Sequence, residues 1–268
     1  MNQQGTAVSG IAKRLENAYL TYNRREFVHP DPLEFLYDYP DPADREVVGL
    51  VASALAYGNV RQILKSVSAV LGVMGTRPSA YLLSRDASDF LNDFKWFSHR
   101  FAKGKHLSAL LAGARDVIQT YGSLHACMAE QIDPADRNVL PGLCRFVRRL
   151  IDGTDGSDPG HLVPRPEKGS ACKRLHLLLR WMVRCDEVDP GGWNDIPPSL
   201  LMVPLDVHMF RIAQRLCMTS RRQPDVRAAM EVTEGFRRYA PDDPVKYDFA
   251  LTRFGIRGDI PDPLSSLP

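Results

Sequence analysis

The sequence contains no CxxC pair. Its five cysteines, Cys127, Cys144, Cys172, Cys185 and Cys217, stand far apart. That spacing argues against a structural zinc site or an iron–sulfur cluster of the usual kind. No apolar run approaches about 18 residues, so no membrane-spanning helix is expected. The opening stretch MNQQGTAVSGIAKRLENAYL carries no apolar signal core with a cleavage site. A cytoplasmic protein with reduced thiols is expected. A dominant charge is also missing: 34 Lys and Arg face 32 Asp and Glu, for a net charge of +2. Period-two alternation is scarce, and the glycines do not mark a strand-to-helix turn. Both points argue against a parallel sheet and against a Rossmann or P-loop enzyme.

What is present is an ordinary globular balance over 268 residues, with 44% hydrophobic and 25% charged residues. The length suits one large domain or two small lobes. Charge is uneven along the chain. Between Pro141 and Arg184 stand nine basic residues (Arg145, Arg148, Arg149, Arg165, Lys168, Lys173, Arg174, Arg180, Arg184) and four acids (Asp152, Asp155, Asp158, Glu167). This excess reads either as a footprint for phosphates or as the solvated face of an Arg-rich protein.

The periodicity predicts an all-α protein of ten or more helices, with both termini in the same lobe. A first helix is expected from Ser9 to Tyr22. A short helix follows between the proline clusters at 30–32 and 40–42. Asp44 is expected to cap the next helix, which Gly58 ends. A helix from Val60 carries Ile63, Leu64, Val67, Val70 and Leu71 on one stripe. Further helices are expected at Lys105–Tyr121, Asp136–Leu150, and the second half of RPEKGSACKRLHLLLRWMVR. IDGTDGSDPG reads as a loop, and CDEVDPGGWNDIPPSLLMVP as irregular. Asp206 is placed to cap a helix through VHMFRIAQRLC. The last helices are expected at about 225–238 and from about 243 to just before Gly255. The Pro-rich tail after Gly258 is expected on the surface.

Four features carry chemistry. Gly169 to Lys173 forms a tight turn into an apolar helix, whose free amide N–H groups can hold a phosphate oxygen. Lys173, near that helix start, sits in a field favouring its neutral amine, which can attack an electrophilic carbon and form a Schiff base. The bland reading of Lys173 is a solvent-facing helix lysine. Asp206 is a helix cap whose ionised carboxylate can also stabilise developing positive charge. His208 beside it is a base or simply a packed side chain. The corner Ala56-Tyr57-Gly58-Asn59 either presents Tyr57 and Asn59 to a groove or leaves Tyr57 in the core with Asn59 as a cap.

VPLDVHMFRIAQRL, Val203 to Leu216, resembles the stretch after the hairpin in the helix-hairpin-helix DNA glycosylase superfamily. Asp206 falls where these enzymes place the catalytic aspartate. Gly169-Ser170-Ala171-Cys172-Lys173 keeps the family's offset from the first hairpin glycine to its nucleophilic lysine. VVGLVASALAYGNVRQILKSVSAVLG is similar to an earlier helix pair whose corner enters the space left by a flipped base. The chain departs from the pattern in two ways. Ala171 replaces the second hairpin glycine, and 33 residues separate Lys173 from Asp206. The long separation is closest to the archaeal 8-oxoguanine glycosylase branch. ALAYGNVRQI, FKWFSHRF, GSACKRLHLLLRWMVR, DEVDPGGW and PLDVHMFRI also resemble an uncharacterised bacterial family, DUF2400.

The resemblance implies a two-lobed helical glycosylase-like fold over the whole chain, with the hairpin at about 165–184. It implies a monomeric, nucleoid-associated bifunctional DNA glycosylase and AP lyase that needs neither metal nor cofactor. The partner is double-stranded DNA with a damaged base, and the substrate an oxidised purine, 8-oxoguanine by preference. Lys173 would attack C1′ and Asp206 would stabilise the oxocarbenium-like sugar. Tyr57, Gly58, Asn59, Lys168, Gly169, Ser170, Ala171, Arg174 and His208 would contact DNA or lesion. Phe94, Trp96, Phe97 and Trp193 are the candidates for stacking on the base, although aromatics at such positions also build cores. Two other readings compete: a DNA-binding or structural module that has lost base excision, and a helical enzyme holding a divalent metal on Asp186, Glu187, Asp189 and His208.

Overall fold

A computed structural model describes residues 3–154, 156–257, 260 and 262. It is mainly helical. The first half holds α1 (Gln3–Tyr22), α2 (Pro42–Ala54), α3 (Val60–Met74), α4 (Pro78–Leu83), α5 (Ala87–Asp93) and α6 (Gly104–Tyr121). The second half holds α7 (Leu124–Glu130), α8 (Leu140–Asp152), α9 (Lys173–Val183), α10 (Val207–Arg215), α11 (Val226–Arg237) and α12 (Asp248–Ile256). Single 3₁₀ turns link several of these. The sheet found among the described residues is an antiparallel pair, β1 (Ser98–His99) and β2 (Ala102–Lys103), with Arg100 and Phe101 at its tip.

Local chemistry explains the helix starts. Asn59, Asp206 and Asp225 each accept a backbone N–H from the first turn of the following helix, which satisfies an otherwise free donor. Asp41, not Asp44, does this for α2. Asp44 lies inside the first turn and accepts from Ser79 N of α4 instead. α2 ends at Ala54, before Gly58, and α12 starts at Asp248 and runs past Gly255. The segment between the proline clusters is a 3₁₀ helix, Pro32–Asp38. The tail beyond Gly258 lies outside the described residues except Ile260, which is buried, and Asp262.

Most of the buried apolar side chains form one cluster from Leu15 to Leu251. α2 packs against α9, α4 and the Pro32–Asp38 turn, while α6 packs against α5, α7 and α8. α1 and α10 both pack on α12, so the two ends of the chain meet on one side. The α6–α8 approach is close enough to require glycine. A Cβ on Gly113 would lie 2.1 Å from the Leu150 carbonyl oxygen.

Ionic ties fix α9 to its surroundings. Arg180 pairs with Asp189 at 3.1 Å and with Asp248 at the start of α12. Arg184 binds Asp189, Asp186 at 2.9 Å and Asp243 at 2.9 Å. Tyr19 of α1 and Asn23 just beyond its end also donate to Asp186. Buried charges persist only when paired in this way, and deleting one partner leaves an uncompensated charge. No helix among the described residues is long and apolar enough to cross a membrane.

Candidate active site

The turn before α9 is built on two residues of left-handed backbone, Gly169 and Cys172. The 3₁₀ turn Pro166–Lys168 ends on Gly169 at φ +82°, a conformation that costs glycine little. Ser170 forms an isolated bridge with Asp225, and Gly169 O accepts from Val226 N. Cys172 then adopts the left-handed region at φ +45° as the residue before the first turn of α9. Such a backbone is rare for a residue with a side chain and persists only where the surroundings hold it. Here Cys172 is buried, its N–H donates to Ser170 Oγ at 3.3 Å, and burial pushes its thiol up to about 11. It is an inert filler that aims the next residue.

That next residue is Lys173. Its Nζ lies 3.0 Å from Asp206 Oδ2. The other carboxylate oxygen, Oδ1, accepts from His208 N at 2.9 Å and Met209 N at 2.8 Å. Asp206 therefore caps α10 with one oxygen and meets Lys173 with the other. Burial alone would raise its pKa. The Lys173 charge and the Met209 amide outweigh that and hold the carboxyl below its ordinary value. The sequence reading joined these two residues across 33 positions, and the structure brings them into contact.

Two clefts meet at Lys173 and share Ala56, Tyr57 and Lys173. The first, about 330 Å³, lies on the Asp206 side, with Pro30, Pro32, Val60, Ile63 and Leu177 as apolar walls. Its charged lining is balanced, with Asp31, Asp206 and Asp248 against Lys173, Arg180 and Arg253, and His208 adds an imidazole. Arg253 pairs with Asp31 at 2.8 Å. The second cleft, about 610 Å³, is basic: Arg165, Lys168, Lys173 and Arg174 line it against one acid, Asp158. Ser170 and His161 complete this wall.

The other sequence candidates divide. Lys168 is exposed on the basic cleft and Ser170 lies beside it. Gly169 holds the turn. Ala171 is buried in the core, so it faces away from any ligand. Arg174 is also turned inward. Its guanidinium donates to the carbonyls of Ala54 and His161 and sits 4.7 Å from the Tyr57 ring centre, so its main role is to tie α2 to the 160–162 turn. Tyr57 is half-buried and donates its hydroxyl to His99 O at 3.0 Å, while Asn59 caps α3 at Arg61 N. The corner thus frames the clefts, with Gly58 on the wall, and its side chains are already engaged.

The aromatic candidates fall outside both clefts. Phe94 and Phe97 are buried in the core, and Trp96 donates to Asp93 O on the surface. Trp193 is buried, stacks on His125 at 5.7 Å and donates Nε1 to Glu46 at 3.2 Å. Glu46 in turn accepts from Leu124 N and His125 N at the start of α7. FKWFSHRF instead turns through the hairpin and exposes its last residue, Phe101, to 68% beside His161. The nine basic residues at 141–184 do not form one face either. Arg180 and Arg184 are buried in ion pairs, Arg148 meets Glu167 and Arg145 meets Asp136. Asp186 and Asp189 of DEVDP are held by Arg184 and Arg180 while Glu187 is exposed, and no group of three or more metal-ligating side chains occurs among the described residues.

Asp31, Arg180, Asp248 and Arg253 were missed by sequence reasoning. One signal was available: Lys173, Leu177 and Arg180 recur at i, i+4 and i+7, which puts all three on one face of α9. Asp31 and Arg253 meet across 222 positions, and no local pattern reports that.

Residues 31–257 match a family described as a protein of unknown function, DUF2400, and the chain belongs to that family. No curated protein and no solved structure matches the chain.

Proposed function

We propose that this DUF2400 protein is a bifunctional DNA glycosylase and AP lyase of helix-hairpin-helix type, with two helical lobes closing on damaged double-stranded DNA. The reading is carried by one observation: an amine and a carboxylate 3.0 Å apart at the junction of a charge-balanced cleft and a basic one. A flipped nucleotide has a neutral base, a reactive sugar carbon and anionic phosphates, and these match the two clefts and the pair between them.

In this reading the base enters the 330 Å³ cleft, which is at the small end of the range for organic ligands. A backbone phosphate rests by Arg165, Lys168 and the turn at Ser170, a contact that positions DNA without reading its sequence. C1′ then lies at Lys173 Nζ. Asp206, ionised and held rigid by two amides, stabilises the positive charge that builds on the sugar as the glycosidic bond breaks. Solvent takes the Lys173 proton and supplies the one that the departing base needs. Lys173 Nζ bonds to C1′ as the base leaves with the glycosidic electron pair, and the C1′–O4′ bond then breaks, O4′ taking a proton that Nζ loses, to leave the Schiff base. Arg100 and Phe101, on the rim beside Tyr57, give neighbouring bases a stacking surface. An oxidised purine, 8-oxoguanine by preference, is the proposed base, on the strength of the sequence resemblance.

The test is borohydride capture on duplexes containing 8-oxoguanine, an abasic site or no lesion. A covalent band on the 8-oxoguanine duplex that Lys173→Gln abolishes is expected. Folded protein that binds all three duplexes and is captured on none overturns the proposal in favour of a binding module.

A further inference from the structure

Strand cleavage after Schiff-base formation needs a base to remove a proton from C2′. Asp206 is poorly placed to serve. One of its oxygens is bound by two amides, the other meets Lys173, and its basicity is lowered. The basic cleft holds another group.

His161 lines that cleft together with Lys173. It stands on the 3₁₀ turn Gly160–Leu162, and its carbonyl oxygen is gripped by Arg174. The ring packs edge-on against Tyr57 at 4.7 Å and against Phe101 at 5.9 Å. Three elements therefore fix an exposed imidazole: α9 through Arg174, the α2–α3 corner through Tyr57, and the β-hairpin through Phe101. No hydrogen bond to either ring nitrogen is formed by the described residues. The Arg174 and Arg100 charges act on it, Tyr57 packs against it, and Asp158, Arg165, Lys168 and Lys173 line the same cleft, while the His106 ring stands beside its chain neighbour Gly160. Partial burial first, then the Arg174 and Arg100 charges, lower its pKa, so the ring is neutral near neutral pH.

We propose that His161 is the general base of the lyase step. This rests on the Lys173 Schiff base of the preceding section. The C2′ proton passes to a free imidazole nitrogen, and the C–H electron pair forms the C2′=C3′ bond. The C3′–O bond breaks, and the phosphate leaves with the C3′–O bonding pair beside Arg165 and Lys168. The elimination balances without an oxidant, a reductant or a metal. Before it, the same charges hold the phosphate in the ester, so one cleft serves both grip and departure.

The experiment uses the full chain and a preformed abasic-site duplex under single turnover. Capture by borohydride and strand cleavage are read in parallel for the unaltered protein, His161→Gln and His161→Ala. Capture is expected at the same rate in all three. Cleavage is expected to fall about a hundredfold in both variants, the ordinary worth of a general base. The unaltered protein's cleavage rate should rise with pH below about pH 6.5 and then level. That limb should vanish in His161→Gln, and added imidazole should restore part of the rate in His161→Ala. Cleavage within about threefold of the unaltered protein overturns the proposal. So does a joint loss of capture and cleavage, which marks a structural role. No capture by the unaltered protein defeats the Schiff-base reading itself, and this proposal with it.

Discussion

His176 makes the interior of α9 sensitive to acid. The ring is buried, both its nitrogens lack a hydrogen-bond partner, and burial pushes its pKa down to about 4. In an unfolded chain the same ring titrates near about 6.5. The folded state thus binds the proton less readily than the unfolded one. The stability that depends on a neutral His176 is fully present above about pH 6.5 and is lost as pH falls toward about 4. At about 1.4 kcal/mol per unit, the loss is about 2 kcal/mol at pH 5 and about 3 kcal/mol by pH 4. Other carboxylates titrate in the same range, so the measurement is a comparison. Thermal melts of the unaltered protein and of His176→Leu are recorded from pH 7 to pH 5. The variant is expected to gain on the unaltered protein by about 4–8 °C over that span. A Tm difference that stays constant across the span refutes the assignment of the acid sensitivity to His176.

Asp206→Asn keeps a helix-capping side chain, so its melt should shift by only a few tenths of a kcal/mol, while capture should slow about 10²–10³-fold; Asp206→Ala should lose about 1 kcal/mol more. Single-turnover capture and urea melts separate the two effects, and an Asn variant of full activity removes Asp206 from the chemistry. Gly113→Ala forces α6 and α8 apart and should cost about 1–3 kcal/mol by urea unfolding; an unchanged midpoint contradicts the close approach. Lys168→Gln should weaken DNA binding and lower the salt slope by about 1, with capture at saturating DNA unaffected. Loss of capture there would move the nucleophile to Lys168.

Helices with strong caps were legible in the sequence. Asp206 announced its helix, and Asn59 did so in one of its two readings, because a side-chain acceptor at a helix start is a local event. The Lys173–Asp206 pair was legible through its resemblance to an enzyme superfamily. Three features were not. The two-residue strands of the hairpin are too short for alternation to show. Periodicity places Arg174 on a helix but cannot say that two carbonyls from other segments await it. The aromatics of FKWFSHRF carry apolar area, which both a core and a base pocket want. The packing of α3 to α6 around Phe94 and Phe97 decided for the core. The balanced cleft itself is assembled from chain segments at Asp31, Lys173, Asp206 and Arg253, and only tertiary structure brings them together.

The most direct test of the central claim is to identify the residue bonded to DNA. The borohydride-reduced adduct on an abasic-site duplex is digested and the modified peptide sequenced by mass spectrometry. A sugar remnant is expected on Lys173 Nζ, the amine that faces Asp206 at 3.0 Å. A remnant on Lys168 or on another amine, with Lys173 unmodified, would contradict it.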